Sequence, residues 1–235
     1  VDFNLYDAGF VLEGPVSEEW TVGGAFHRSY IDTLLPIFLP EDVPFSFNTA
    51  PRYYDYQLIA QGPVFGGDDL RFFVFGSLDE ISFLFDNAGT DPLARGALNA
   101  RTMFHRAQAQ YRSRLTDNLS QETSMMLGFT QLNFNLGPEL YFDLGVYDLE
   151  VRSKWEYLFS DAFSVTGGVD WVFNMGTISL NLPRPPQEGD NRSPTSSRND
   201  FQTLEEEANS YTPALFAEIL YKPTETLELI GGSRV

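Results

Sequence analysis

Polar and apolar residues alternate along two arms between Tyr147 and Leu182, and this alternation predicts two long β-strands. Every even position from 148 to 156 is charged, while the odd positions between them are mostly apolar. A period of two places these sets on opposite faces of a strand and excludes a helix. A second alternating run follows a turn of only Ser160 to Ala162, so the two strands are antiparallel neighbours in a hairpin.

The length of these runs separates two classes of all-β protein. A strand of a soluble protein has roughly 5 to 6 residues, and the alternation here continues for about twice that length. A tilted strand that crosses a bilayer needs about 9 to 11 residues, with lipid on one face and a lumen on the other. The hairpin therefore favours a membrane barrel over a soluble sandwich.

Short turns and long connections follow one another in a regular order. The short turn signals begin at Gly14, Gly62, Thr116, Ser160 and Lys222. The long connections, rich in Pro, Gly, Asn and Asp, are predicted at Thr33 to Pro51, Asp86 to Leu98, Asn135 to Phe142 and Pro183 to Asn209. Such sorting is typical of outer-membrane barrels, in which the turns are periplasmic and the loops extracellular.

We therefore predict an all-β fold, an antiparallel up-and-down transmembrane β-barrel, to which residues 1–235 contribute about ten strands of a larger barrel as one partial barrel domain. The predicted strands are Asp2 to Glu13, Glu19 to Asp32, Arg52 to Gln61, Asp69 to Phe85, Asn99 to Arg114, Gln121 to Phe134, Asp143 to Leu158, Phe163 to Leu182, Tyr211 to Tyr221 and Leu227 to Val235. Asp69 to Phe85 is bulky on both faces, which either a bulge or a packed lumen explains. Aromatic residues near the turns and loops fit either membrane-interface girdles or core filling.

Composition narrows the function classes further. A net charge of -18 and a pI near 4.3 would repel a phosphate backbone, so no nucleic-acid partner is expected. The absence of cysteine excludes disulfides and thiolate metal sites. The mean hydropathy of -0.21 does not argue against a membrane, because in a barrel the polar half of each strand offsets the apolar half. No nucleotide, metal or nucleophile motif is present, and no cofactor is predicted.

Three groups of residues have side chains capable of chemistry. His27 and His105 are the two histidines. The alternation within each of their strands predicts that they point to opposite faces, which disfavours a joint active site. Glu205 to Glu207 could bind a hard cation, but consecutive carboxylates on an extended chain point in opposite directions, so a solvated charge run is the stronger interpretation. The charged positions 148 to 156 either line a solute path or pair with neighbouring strands or with a plug.

Several segments resemble the barrel of TonB-dependent outer-membrane receptors, notably the variant forms of myxobacteria and related groups. The resemblance is found in YDAGFVLEGPVSEEW with FHRSYIDTLLP, in APRYYDYQL, in FVFGSLDEISFLFDN, in FHRAQAQYRSRL and in TPALFAEILYKPTETLELIGGSRV. It implies a transporter of about 22 strands whose lumen holds an N-terminal plug domain. No plug is visible in these residues, and Leu227 to Val235 stops without a closing strand, so we expect a piece of a larger barrel.

The resemblance implies uptake of a bulky, scarce solute of the siderophore, cofactor or oligosaccharide class across the outer membrane of a Gram-negative bacterium. Its partners would be outer-membrane lipid, the solute, and a TonB-type energy-transducing partner that acts through the plug; no reaction is catalysed. The predicted ligand-binding residues are Phe45, Phe47, Arg95, Arg106, Arg112 and Arg192. Two alternatives stay open: a small outer-membrane barrel that acts as an enzyme or adhesin, and a soluble all-β binding module.

Overall fold

One antiparallel sheet accounts for almost all of the described chain. The computed structural model describes residues 2–4, 6–38, 45–64, 66–85, 96–137, 139–183 and 201–235. The strands are β1 (Asp2–Phe3), β2 (Asp7–Pro15), β3 (Thr21–Ser29), β4 (Phe45–Val64), β5 (Asp68–Phe85), β6 (Gly96–Arg114), β7 (Leu119–Leu136), β8 (Leu140–Ser160), β9 (Phe163–Pro183), β10 (Phe201–Thr224) and β11 (Leu227–Arg234), and α1 (Ile31–Phe38) follows β3. No helix among these residues is long and apolar enough to span a membrane.

Each strand pairs with the next strand in the sequence, from β1 to β11, and every pairing is antiparallel. This order confirms the predicted all-β, antiparallel up-and-down class. The predicted hairpin is confirmed as β8 and β9, whose register runs from Tyr141 opposite Asn181 to Ser160 opposite Phe163. We refer to the ends of the strands as the turn end, where β8 meets β9, and the loop end, where β9 precedes residues 184–200.

The prediction of one strand from Asp2 to Glu13 is wrong. The side-chain oxygen of Asn4 accepts hydrogen bonds from the backbone N–H groups of Tyr6 and Asp7, at 2.8 and 3.0 Å. This Asx-type turn folds the chain back, so that Asp2 and Phe3 pair with Gly9 and Ala8 as a separate short strand.

The second predicted strand, Glu19 to Asp32, ends earlier than expected, and a helix replaces the start of the predicted loop. The Ser29 hydroxyl accepts a hydrogen bond from the N–H of Ile31 at 3.3 Å. The N–H groups of Thr33 and Leu34 then donate to the carbonyl of Tyr30. These bonds supply partners for the first turn of α1, as helix starts require.

Strand extends into all four predicted loops at the loop end of the sheet. The predicted long loop from Asn135 to Phe142 is wrong, because only residues 137–139 connect β7 to β8. Phe45 and Phe47 were expected in a loop but belong to β4, where they pair with Phe85 and Phe83. Glu205 to Glu207 were expected at the end of a loop but pair in unbroken register with β9. Ladder hydrogen bonds join backbones whatever the side chains are, so the prolines around Phe45 and Phe47 and the charge run of Glu205 to Glu207 misled the prediction.

The bulky segment Asp69 to Phe85 contains no bulge towards β6. Its register with β6 is continuous from Asp69 opposite Arg112 to Phe85 opposite Gly96. Phe73 and Phe75 lie on one face with ring centroids 4.9 Å apart, and the Arg71 guanidinium lies 5.7 Å from the centre of the Phe73 ring. Towards β4 the register shifts twice, near Ser82 and Glu80, away from the bulky positions 70 to 75. At those bulky positions a packed face is the explanation that the structure supports.

The hairpin turns are staggered steadily along the strand direction. Followed across the sheet, the register that starts at Pro15, the last residue of β2, reaches Ala214 on β10. Thr224, the last residue of β10, lies ten residues beyond Ala214. Spread over the eight steps from β2 to β10, this is a shift of about 1.2 residues per strand. With a rise of about 3.3 Å per residue and a strand spacing of about 4.8 Å, the strands tilt by about 40°, within the range of barrels.

Candidate functional site

The sheet has two faces of different chemistry, which we name after adjacent residues of β8. Residues directly opposite each other in the register share a face. The Asp148 face carries the even-numbered residues of β8 and the residues in register with them. The Leu149 face carries the odd-numbered residues of β8 and their partners on the other strands.

The Leu149 face is uncharged over the turn-end part of the sheet. Its positions at 119–129 on β7, 147–157 on β8, 163–175 on β9 and 211–221 on β10 include no charged side chain. Many of these residues are solvent-exposed, for example Leu127 at 51%, Trp171 at 45% and Leu215 at 59%. Contiguous exposed apolar area of this extent marks a surface covered by a partner or by lipid.

Aromatic residues border this uncharged band. Tyr147 and Tyr157 lie at its two ends on β8, and Tyr211 and Tyr221 on β10. Ten residues span about 33 Å of strand, which at a tilt of about 40° is about 25 Å of height. That is the height of the apolar band of an outer-membrane barrel between its aromatic girdles.

Ring contacts at the loop-end border run from strand to strand. Tyr147 contacts Phe129 of β7 with ring centroids 4.6 Å apart. The Tyr56 hydroxyl lies 2.9 Å from Nδ1 of His105, above Gly76 of the intervening strand. A Cβ at Gly76 would lie 2.6 Å from that nitrogen, so the missing side chain makes room for the pair.

Ion pairs cross the Asp148 face at the same height as the band. The predicted ligand-binding residue Arg112 donates from Nε to Glu122 at 2.8 Å. Asp170 lies between two guanidinium groups, with Arg152 at 3.5 Å and Arg234 at 3.2 Å. The side chains of Asp148 and Asp170 are only 10% and 9% exposed, which makes this the more enclosed face. The charged positions 148 to 156 were predicted either to line a solute path or to pair between strands. Asp148 and Arg152 do pair with residues of other strands.

Arg106, also a predicted ligand-binding residue, is held by protein groups on several sides. Its guanidinium donates to the carbonyls of His105 and Phe129, both at 3.0 Å, and to the Thr130 hydroxyl at 2.9 Å. It reaches Oδ1 of Asp148 at 3.4 Å across β7. This set of partners indicates a structural role, and ligand binding by Arg106 stays a prediction.

The other predicted ligand-binding residues are not brought together with these two arginines. Phe45 and Phe47 lie in the loop-end part of β4. Arg95 and Arg192 lie outside the described residues. Their roles in ligand binding, like that of Arg112, stay predictions.

The two histidines lie on opposite faces, as their parity predicts. His27 lies on the Asp148 face with Nδ1 3.0 Å from Oδ1 of Asp55, and His105 lies on the Leu149 face beside Tyr56. Among the residues that the structure describes, no group of three His, Cys, Asp or Glu side chains is placed to hold a metal ion.

The sequence analysis missed an inversion of the two faces at the loop end. Beyond Tyr147, the Leu149 face becomes polar, and its residues include Gln131, Asn133, Asp143, Thr177, Ser179 and Glu205. On β7, β8 and β9 the Asp148 face becomes apolar there, with two rows of side chains that we call the apolar wall: Leu132, Leu144 and Ile178, then Phe134, Phe142 and Leu180. Asp79 of β5 and Glu206 of β10 lie in the same register row as the first three. The signal was present in the sequence, because within β7, β8 and β9 the apolar residues change from one set of alternate positions to the other.

At the turn end, Asp68 places a negative charge just outside the band. The Tyr111 hydroxyl donates a hydrogen bond to the Asp68 carboxylate, and Ser113 does the same. These hydrogen bonds, that of Tyr111 first, lower the pKa of Asp68. The carboxylate is thus held ionised at the edge of the uncharged surface.

Fold and faces together define a staggered up-and-down β-sheet whose turn-end part has one uncharged and one ion-paired surface. No protein-family model matches the chain, and no curated protein matches it in sequence. Among solved structures, the chain is similar to the ferric yersiniabactin uptake receptor FyuA from Yersinia pestis, with 10% sequence identity and a TM-score of 0.49. The match covers 96% of this chain and 44% of the receptor, so the chain spans less than half the length of that protein. A likeness at this identity and score carries no conclusion about function.

Proposed function

We propose that this chain is part of the wall of an outer-membrane β-barrel of the receptor or transporter kind. The observation that carries the proposal is the uncharged Leu149 face, about 25 Å high at the strand tilt set by the register and bordered by tyrosines. Lipid is the partner that covers such a band on every side of a barrel. The ion-paired Asp148 face then faces the lumen, the turn end is periplasmic, and the loop end is extracellular.

The barrel serves the uptake of a bulky, scarce solute in this proposal. Siderophores, cofactors and oligosaccharides are the candidate classes, and a TonB-type partner would supply energy through a plug domain. The resemblance of the segments quoted above to TonB-dependent receptors supports this part. The ion pairs of Arg106 and Arg112 line the path without holding a reactive group, and no observation on the described residues favours an enzyme, an adhesin or a soluble module over a receptor.

Cysteine labelling in intact cells tests the orientation, because the chain itself has no cysteine. Ser193→Cys places a thiol in the connection between β9 and β10, and Asp117→Cys places one in the turn between β6 and β7. A membrane-impermeant maleimide should label the thiol at position 193 in intact cells, and the thiol at position 117 only after the outer membrane is permeabilised. Equal labelling of both thiols in intact cells, or recovery of the protein in the soluble fraction, would contradict the proposal.

Transport is tested separately from orientation. Cells that express the full-length protein should accumulate the transported solute from a panel of labelled siderophores, cofactors and oligosaccharides. A protonophore should abolish the accumulation if an energised partner drives it. Accumulation that persists with the protonophore would point to a passive channel instead.

A further inference from the structure

The basic residues of the Leu149 face are confined to one place, on the loop-end side of the uncharged band. They are Arg28 of β3, Arg52 of β4 and Arg101 of β6, which we call the arginine patch. Every other basic residue of the described strands lies on the Asp148 face. On β8 and β10, the charged residues of the Leu149 face at the loop end are acidic. The positive charge of the Leu149 face is thus concentrated beside β3 to β6.

The patch lies at the height where the apolar band ends. On β6, Arg101 lies ten residues from Tyr111 towards the loop end, and ten residues also separate Tyr157 from Tyr147 across the band on β8. Arg52 of β4 lies in the same register row as Arg101. In a membrane barrel this is the level of the lipid headgroups, to which arginine side chains at the ends of membrane-spanning segments extend their charge.

The described carboxylates do not neutralise the patch. Arg52 donates from Nε and Nη2 to one oxygen of Glu80, at 3.2 and 2.7 Å, and Arg28 lies 3.4 Å from a carboxylate oxygen of Asp32 in α1. Arg101 forms no ion pair with any residue that the structure describes. Three guanidinium groups therefore face two carboxylates. A guanidinium has five N–H donors, so the half-exposed Arg28 and Arg52 can each bind a second acceptor as well.

We propose that the arginine patch binds the phosphate of a lipid headgroup in the extracellular leaflet, so that anionic lipid collects beside β3 to β6 and not evenly around the barrel. This inference rests on the proposed function and adds to it a lipid partner of defined chemistry. Guanidinium groups match phosphate through paired N–H donors. The acyl chains of the same lipid cover the apolar band directly below, so one molecule occupies both surfaces, whereas a free phosphate ion would contact the arginines alone.

Two tryptophan reporters on the Leu149 face form a matched pair for the test. Leu78→Trp places an indole beside the patch, in the register row of Arg28, and Leu149→Trp places one within the band on β8. Both replace a leucine, and the three native tryptophans give both variants the same background. The full-length protein is reconstituted in phosphatidylcholine vesicles with a fixed small fraction of brominated phosphatidylglycerol or of brominated phosphatidylcholine, each of which quenches indole fluorescence on contact.

The indole at position 78 should be quenched more strongly by brominated phosphatidylglycerol than by brominated phosphatidylcholine, and the indole at position 149 equally by both. Arg101→Gln should lower the preference at position 78 about fivefold, the change expected when one arginine near an anionic lipid surface is lost. Arg114→Gln is the matched control, because Arg114 lies on the same strand but on the Asp148 face, and it should leave the preference unchanged. Both arginines are exposed, so neither substitution removes a packed side chain.

The contrary results are distinguishable. Equal quenching by the two lipids at position 78, or a preference that Arg114→Gln lowers as much as Arg101→Gln does, would overturn the lipid site and leave the barrel proposal standing. Equal quenching together with calorimetric binding of inorganic phosphate that Arg101→Gln abolishes would show that the arginines bind a free anion instead. No quenching by either lipid at positions 78 and 149 would show that the Leu149 face does not contact lipid and would overturn the proposed function as well.

Discussion

Gly128 on β7 provides the gap through which Arg106 reaches Asp148, so an added methyl group at this position should break the ion pair. A Cβ at Gly128 would lie 1.7 Å from Oδ2 of Asp148 and 2.9 Å from Cζ of Arg106. Neither group can stay in place beside it. Gly128→Ala should therefore push the carboxylate away from the guanidinium and out of its enclosed position.

The expected change in the free energy of unfolding is the difference between the ion pair that Gly128→Ala removes and the conformational entropy that it recovers. The Arg106–Asp148 ion pair, at 3.4 Å, lies between an exposed pair, which contributes about 0.2 to 1 kcal/mol, and a buried one, whose breaking costs about 3 to 5 kcal/mol. We take a loss of about 1.5 to 3 kcal/mol, since Arg106 keeps its carbonyl and hydroxyl acceptors after the change. Replacing a strand glycine by alanine recovers about 0.5 to 1 kcal/mol of conformational entropy. We expect a net destabilisation of about 1 to 2 kcal/mol for Gly128→Ala.

Gly167 on β9 offers the matched control, because a Cβ there would meet its nearest atom at 3.7 Å. Urea titration of the full-length protein in lipid vesicles, followed by tryptophan fluorescence, should show Gly167→Ala as neutral or slightly stabilising. In an Asp148→Ala background the cost of Gly128→Ala should fall sharply, since the ion pair and the nearer of the two clashing groups are both gone. Equal effects of the two glycine substitutions, or an unchanged cost in the Asp148→Ala background, would refute the reasoning.

Two further predictions concern the two faces. Leu149→Arg should destabilise the protein in lipid by about 2 to 4 kcal/mol, as a charge on the lipid face of a barrel does, and Glu150→Arg should destabilise it far less. Similar urea midpoints for the two variants would contradict the assignment of faces. Ala214 is only 9% exposed and lies opposite Asp170, so Ala214→Leu should destabilise the protein by about 1 to 3 kcal/mol through overpacking. Ala217→Leu on the exposed face should be near neutral in the same titration, and a reversed order would count against the account.

The turn-end half of the fold could be predicted from the sequence because local patterns determine it. Alternation over 148 to 156 and the three-residue turn at Ser160 place β8 and β9 next to each other without any distant information. The broken first strand and the helix α1 could not be predicted in this way. Both depend on single side chains, those of Asn4 and Ser29, that bond to nearby backbone.

The site was less predictable than the fold, because the residues that pair across its strands are distant in sequence. Arg106 could be assigned to a polar face by parity, but its pairing with Asp148 depends on the register of β6, β7 and β8 and on the gap at Gly128. The strand identity of Glu205 likewise rests on its pairing with Ser179, 26 residues earlier in the sequence. Side-chain polarity does not report such pairing, so the loop-end extension of β10 appears only once the register is known.

Spin-label accessibility along β8 measures the central claim most directly, namely that the Leu149 face contacts lipid and the Asp148 face contacts the lumen. Single cysteines introduced from position 147 to 157 in the cysteine-free chain are labelled in the full-length protein in lipid vesicles. Collision with oxygen, which concentrates in lipid, should peak at 149, 151 and 155, and collision with a water-soluble nickel chelate should peak at 150, 152 and 154. High chelate accessibility at both sets of positions, without a period of two, would contradict the membrane barrel.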